Sequence, residues 1–317
     1  MAPIIAAWYS SDNPCMPRGG GAFHHSGDRL VSDIPLSSFR VFADGLDHPE
    51  GVTLGPDGQV YAGGEAGQVY RISSQGEVTL IGTTRGFVLG LCLDANRNVY
   101  ACDVKKKVVS RITPQGEVTV YSNGTRDRPM ITPNFPVFDA WGNLYVADSG
   151  NWHGNNGCIY RIRPGGSTEV VSTEFAEFPN GLSISPDGKE LYVALSNVPS
   201  VAKAEILPDG ELGSPQMVVE LPRTIPDGLA FDQDGNLFIA CYTPDIIYRY
   251  TLSGKLSVWA EDWESTLISS PTNVVFAGEN LKTMVVASLG RWHLASVDVD
   301  VAGCPHNYPL IDANSSR

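Results

Sequence analysis

The sequence predicts an all-β fold, a six-bladed β-propeller with four antiparallel strands per blade. Three observations carry that expectation. Segments opening on Pro49-Glu50-Gly51, Pro133-Asn134-Phe135, Pro179-Asn180-Gly181 and Pro226-Asp227-Gly228 each continue into an apolar run, a tight turn and a second apolar run. The turn signals recur with a period of ~40–47 residues, typical of propeller blades. Helical periodicity is missing along the chain.

Ahead of the first unit, Phe39-Arg40-Val41-Phe42-Ala43 reads as an outer strand without a blade of its own, similar to Leu256-Ser257-Val258-Trp259-Ala260. In the units that follow, the inner strand pair is split by Pro56-Asp57-Gly58, then by turns at residues 95–98, 140–143, 186–188, 233–236 and 278–280. Asp-Gly between apolar runs is a hairpin signal, because Gly takes the positive φ that such a turn demands. Outer pairs follow at Val69-Tyr70-Arg71-Ile72, Val109-Ser110-Arg111-Ile112, Ile159-Tyr160-Arg161-Ile162 and Ile247-Tyr248-Arg249-Tyr250. The last unit shows three strand-like runs and no fourth. The strand at residues 39–43 is therefore expected to complete it and to remove the open edges of the ring. Residues 1–34, rich in Gly, Ser and Pro, form an extension, either tail or flap, and residues 35–317 form a single propeller domain.

In an up-and-down blade, the loop entering the innermost strand and the loop joining the second and third strands share a face. The first set of loops carries Glu50, Asn134, Asn180 and Asp227 in one repeat phase. Equivalent positions of a ring converge on its axis, and four oxygen-bearing side chains meeting there suit a hard cation. Asn or Asp before Gly is also ordinary turn chemistry, so the shared phase carries the ligand reading rather than any single motif. The second set of loops brings Trp152, His153, Tyr242, Arg291, Trp292 and His293 to the same face. A polar axis ringed by aromatic, His and Arg side chains reads as a small-molecule pocket over a metal. Trp152, Tyr242, Arg291, His293 and Asn134 are the expected substrate-binding residues. Blade 2 offers only Val88-Leu89-Gly90, whereas Asn273 of blade 6 adds an amide to the substrate set, with a strand-start cap as its plainer reading. Trp8, Trp259 and Trp263 are expected to be packing residues.

Of 317 residues, 42% are hydrophobic and 18% charged, which is ample for a large core. A net charge of −13 argues against a nucleic-acid partner. No apolar stretch approaches the ~20 residues of a membrane helix, and the N-terminus lacks the basic start of a signal peptide. Cysteines 15, 92, 102, 158, 241 and 304 show no zinc spacing, and three of them sit in apolar strand runs, so a cytoplasmic location is expected.

Ile225-Pro226-Asp227-Gly228-Leu229-Ala230-Phe231-Asp232-Gln233-Asp234-Gly235-Asn236, Phe178-Pro179-Asn180-Gly181-Leu182-Ser183 and Ser270-Pro271-Thr272-Asn273 together resemble the gluconolactonase, regucalcin (senescence marker protein) and luciferin-regenerating enzyme family of six-bladed propellers. The resemblance spans about residues 39–300. It implies a divalent cation, commonly calcium, held by Glu50, Asn180 and Asp227, with Asn134 at or near the metal and helping to hold substrate. It further implies hydrolysis of sugar lactones and related esters; the related diisopropyl fluorophosphatase hydrolyses phosphoryl fluorides on a similar site.

The chemistry fits independently. A hard cation polarises a lactone carbonyl and lowers the pKa of bound water, and a carboxylate can accept the water's proton. Asp227 is the expected base and Glu50 primarily a ligand. The expected cofactor is Ca²⁺, with Mg²⁺, Mn²⁺ or Zn²⁺ as alternatives, and the expected partner a small lactone or ester. Two rival readings are a non-catalytic propeller that binds protein, since fold does not dictate function, and a strictosidine-synthase-like enzyme that needs no metal.

Overall fold

The structure, a computed structural model, describes residues 32–311. Most of the extension expected over residues 1–34, including Trp8, lies outside the described residues. Residues 32–311 form six four-stranded antiparallel sheets arranged as a six-bladed propeller, with one 3-10 turn at Leu36–Ser38 and no α-helix among them. Blades 1 to 5 follow chain order, with innermost strands Val52–Leu54, Val88–Leu93, Pro133–Phe138, Pro179–Ile184 and Ile225–Phe231.

Blade 6 runs outward from Pro271–Ala277 through Thr283–Ser288 to His293–Asp298, and its fourth strand is Arg40–Asp44. Arg40 pairs with Ser296 and Asp44 with His293, so the ring closes through the N-terminal strand as its sequence implies. The strand begins one residue later than expected. Phe39 is instead buried, its ring edge-on to Trp259 at 6.0 Å. Trp259 packs as anticipated, but Trp263 is 86% exposed and packs against nothing that would bury it.

Burial follows position in the blade. Val88–Leu93 is buried at every residue because neighbouring blades cover both of its faces, whereas the outermost strand Val78–Thr83 is exposed or half-exposed throughout. Six apolar clusters fill the six blade-to-blade interfaces. An inner strand such as Pro271–Ala277 contributes to two neighbouring cores, which is why the inner runs lack the alternation of a half-exposed strand.

The turns between inner strands lie on one face and are tied locally. Asp94, Asp139 and Asp232 each accept the backbone N–H and the side-chain amide of an asparagine four residues on, Asn98, Asn143 and Asn236 respectively. Residues 302–311 then cross this face as a strap. Gly303 N–H donates to the Leu281 carbonyl, Cys304 N–H to Phe231, the Asn307 amide to Phe138 and the Tyr308 hydroxyl to Leu54. Ile311 is buried between blades 2 and 3. The strap closes the axial channel from that side above a hollow of about 90 Å³ lined by Val52, Leu91, Leu182, Leu229 and Val274. No repeat signal announces it.

Candidate active site on the propeller axis

The openings at Pro133, Pro179 and Pro226 are irregular strand starts rather than turns. Strand register shifts between Pro133 and Phe135, between Pro179 and Leu182, and between Pro226 and Leu229. A bulge places an extra residue on one strand and re-aims its side chain; here the re-aimed residues are Asn134, Asn180 and Asp227. The glycines after the site residues answer a close approach of backbone. A Cβ on Gly181 would stand 2.2 Å from the Asp227 carbonyl oxygen, and one on Gly51 2.2 Å from that of Leu89. Only glycine lets adjacent inner strands come this near at the axis.

Glu50, Asn134, Asn180 and Asp227 are all buried, between 3% and 5% exposed. Each keeps one side-chain oxygen without a hydrogen-bond partner: Glu50 Oε2, Asn134 Oδ1, Asn180 Oδ1 and Asp227 Oδ1. Buried polar atoms are nearly always paired, and leaving one unpaired costs about 1–3 kcal/mol. Four such oxygens in one repeat phase therefore ask for a common partner. The contrast with Asp94, Asp139 and Asp232 on the opposite face, whose oxygens are hydrogen-bonded within their turns, is the discriminating observation.

The amide nitrogens explain why the oxygens are left over. Asn134 Nδ2 donates to Ser149 Oγ at 3.0 Å, and Ser149 Oγ donates to the Pro179 carbonyl of the next blade at 2.7 Å. Asn180 Nδ2 donates to Ser196 Oγ at 3.3 Å, and Ser196 Oγ to the Pro226 carbonyl at 2.7 Å. On the other side of the ring, Thr272 Oγ1 at 2.6 Å and Asn273 Nδ2 at 3.3 Å donate to the Glu50 carbonyl. Each latch joins consecutive blades. Ser149, Ser196 and Thr272 escaped the sequence reading of the site, although Ser149 and Ser196 both follow the second strand of their blades and could have been found by repeat phase.

Burial pushes the Glu50 carboxyl well above the usual carboxylate range, and the Asp227 charge adds to it. Burial likewise raises Asp227 well above that range, with the Asn180 amide acting against it. Two carboxyls that resist ionisation beside each other are stabilised as carboxylates by a cation between them.

The remaining expected residues divide. Tyr242 is raised by burial and by the charge of Asp227, with the Ser270 side chain acting the other way. Trp152 packs edge-on against Phe178 at 4.8 Å, two residues before Asn180. Arg291 donates through Nε to the Ser265 carbonyl at 3.0 Å, and His293 Nε2 lies 2.9 Å from the Leu267 carbonyl. Both thus hold the loop that precedes blade 6, and Asn273 is bonded to the backbone of Glu50. His153 is exposed. Asp47, His48 and Glu65 make a second group whose ligand-type atoms lie within 4.8 Å of one another. These atoms pair among themselves, His48 Nδ1 lying 3.2 Å from Asp47 Oδ1 and 3.4 Å from Glu65 Oε2.

The fold defines a class: a six-bladed propeller, here with buried, unpartnered side-chain oxygens at equivalent strand starts of blades 1, 3, 4 and 5. The chain belongs to the SMP-30/gluconolactonase/LRE-like family, whose sequence profile matches residues 117–290, more than half of its length. A strictosidine synthase-like N-terminal profile matches residues 36–72. The chain is 28% identical over 126 residues to the lactonase drp35 of Staphylococcus saprophyticus, covering 38% of this chain and 39% of that protein. It is 26% identical over 185 residues to a 6-deoxy-6-sulfogluconolactonase of Pseudomonas putida, covering 52% and 61%. The matched regions thus span less than two thirds of either relative. Regucalcin of Agrobacterium tumefaciens, a calcium-binding protein, shares the fold with a TM-score of 0.70 at 16% identity, over 89% of this chain and 100% of that one.

Proposed function

We propose that the protein is a divalent-cation-dependent hydrolase of lactones or related esters. The observation that carries this reading is the ring of buried, unpartnered oxygens on Glu50, Asn134, Asn180 and Asp227. Two carboxylates and two amide oxygens form a hard donor set of the kind calcium takes, with positions left over for water and substrate. Membership of the family and the lactonase relatives support the reaction class, and the calcium-binding regucalcin supports the ion.

When bound, the cation supplies polarisation of the ester carbonyl and a more acidic water beside it. The residues do the rest. Asp227 accepts the proton of the attacking water, and Glu50 serves the ion alone. Asn134 and Asn180 are held oxygen-inward by Ser149 and Ser196, so the donor geometry is set before substrate arrives. Trp152, Tyr242 and Asn134 position the substrate, with Asn273, Arg291 and His293 acting through the backbone groups they hold. No helix among the described residues is long and apolar enough to cross a membrane. We place the protein in the cytoplasm on its cysteine pattern, the five described cysteines being unpaired.

The match of residues 36–72 favours a second reading, a strictosidine-synthase-like enzyme working without metal. A panel of sugar, aliphatic and aromatic lactones, assayed with and without chelator beside elemental analysis, separates the two. Turnover that chelation abolishes and a divalent cation restores is expected; turnover indifferent to chelator in metal-free protein would overturn the proposal.

A further inference from the structure

Two bulky residues with left-handed backbone stand two positions ahead of an axial residue. His48, with φ 43°, precedes Pro49-Glu50, and Phe178, with φ 61°, precedes Pro179-Asn180. Such conformations are costly for large side chains and persist where the surroundings enforce them, often at functional sites. In both cases a tryptophan of the preceding blade packs against the residue's ring, edge-on to Phe178 and tilted to His48. Trp292 of blade 6 meets His48 with centroids 5.0 Å apart, and Trp152 of blade 3 meets Phe178 at 4.8 Å.

The underlying rings are fixed. Asp47 and Glu65 flank His48 Nδ1, while Phe178 is 3% exposed and its carbonyl accepts the Ser196 N–H. The tryptophans are the solvent-facing partners, Trp292 being 55% exposed and Trp152 partly so. The junctions of blades 6 and 1 and of blades 3 and 4 are three blades apart in a ring of six, so the two pairs stand opposite each other across the axis.

The charged groups on this face are of both signs, with Arg128 and Arg291 tied to the backbone carbonyls of Asn156, Gly157 and Ser265 and with Asp47 and Glu65 tied to His48. Asn197, next to Ser196, holds a side-chain amide whose nitrogen and oxygen are both buried without a partner. Its neutral amide offers both donor and acceptor groups to an ester or lactone.

We propose that Trp152 and Trp292 clamp the substrate over the axial site, with Asn197 as its polar contact, selecting an ester or lactone with a flat apolar ring over a polyhydroxylated one. The proposal rests on the hydrolase reading for what happens to the carbonyl, but the clamp itself is tested by binding. Calorimetry on the full chain with excess calcium would compare two hydrolysis-resistant lactams, bicyclic 3,4-dihydroquinolin-2-one and polyhydroxylated gluconolactam. The bicyclic lactam should bind about tenfold more tightly or better, and Trp152→Ala or Trp292→Ala should each remove about that factor for it alone. Asn197→Ala should weaken it as well, and calcium affinity should stay unchanged in all three. Phe178→Asn removes the support under Trp152 with a residue that tolerates the left-handed region, so it should reproduce the Trp152→Ala loss in a chain whose unfolding transition confirms the fold. Equal or reversed preference, no binding of either lactam, or variants that weaken both alike would overturn the clamp. Lactone turnover on the same samples keeps the readings apart: preference without turnover leaves the clamp standing and removes the hydrolase assignment, and turnover without preference does the reverse.

Discussion

Asp94 and Asp227 show how surroundings assign a role to one side-chain type. Asp94 takes the Asn98 N–H, the Asn98 amide and the Tyr100 hydroxyl, which leaves no demand for an ion. Asp227 keeps an oxygen unpaired in a buried ring. If it is the base, Asp227→Asn should lower kcat by about 10²–10⁴-fold, the usual worth of general-base catalysis, while calorimetry still detects cation binding through the remaining oxygen. Ser149→Ala should act differently, weakening the cation by about 10–100-fold as loss of a ligand's support does with little effect on kcat at saturating cation. The raised pKa values of Glu50 and Asp227 carry a sign. In cation-free protein their stability contribution is full below the ordinary carboxylate range and is lost as pH rises through the raised values. Tm should therefore fall with pH across that window under chelator and recover on adding cation, whose affinity weakens toward acid. A chelated protein growing more stable as pH rises there would contradict the buried pair.

The bulged inner strand is the element that makes the site. Its glycine is set by the neighbouring strand, so Gly181→Ala should cost about 1–3 kcal/mol by overpacking and also weaken the cation, because the obstructed atom is the Asp227 carbonyl. Gly188→Ala is the control. Its φ of 75° strains an alanine, but open space surrounds it, so stability should fall with cation affinity intact. Urea unfolding and calorimetry on the two variants decide this; parallel effects on both readouts would contradict it. Asn180-Gly181 could be read from sequence as a recurring position but not as a bulge. Asn-Gly carries the composition of a turn, and only the approach of the adjacent blade shows that extended backbone is required there.

At the scale of the molecule, the ring is held shut twice. Arg40–Asp44 supplies the missing strand of blade 6, and residues 302–311 brace the turn face of blades 1, 2, 3, 5 and 6. A chain beginning at Gly45 exposes the edge of His293–Asp298 and should lose its cooperative thermal transition. A chain ending at Asp300 keeps every strand but loses the Tyr308 and Asn307 hydrogen bonds and buried Ile311, so its Tm should drop while cation affinity, a property of the opposite face, persists. Loss of the cation together with the strap would instead show that the axial hollow transmits disorder to the ring.

Blade count and closure by the strand near residue 40 were determined by sequence alone, because a repeat writes its geometry in local periodicity, and the shared repeat phase of Glu50, Asn134, Asn180 and Asp227 is legible in the same way. Residue phase could not say which polar atoms would be left unsatisfied. That depends on partners such as Thr272, which is 222 residues from the Glu50 carbonyl it holds, and on Ser149 and Ser196, which take up the Asn134 and Asn180 nitrogens and are themselves tied to the next blade. The strap and the two tryptophan-capped junctions belong to the same category. They are non-repeating contacts between segments distant in the chain, and only the closed ring brings those segments within hydrogen-bond or ring-contact distance.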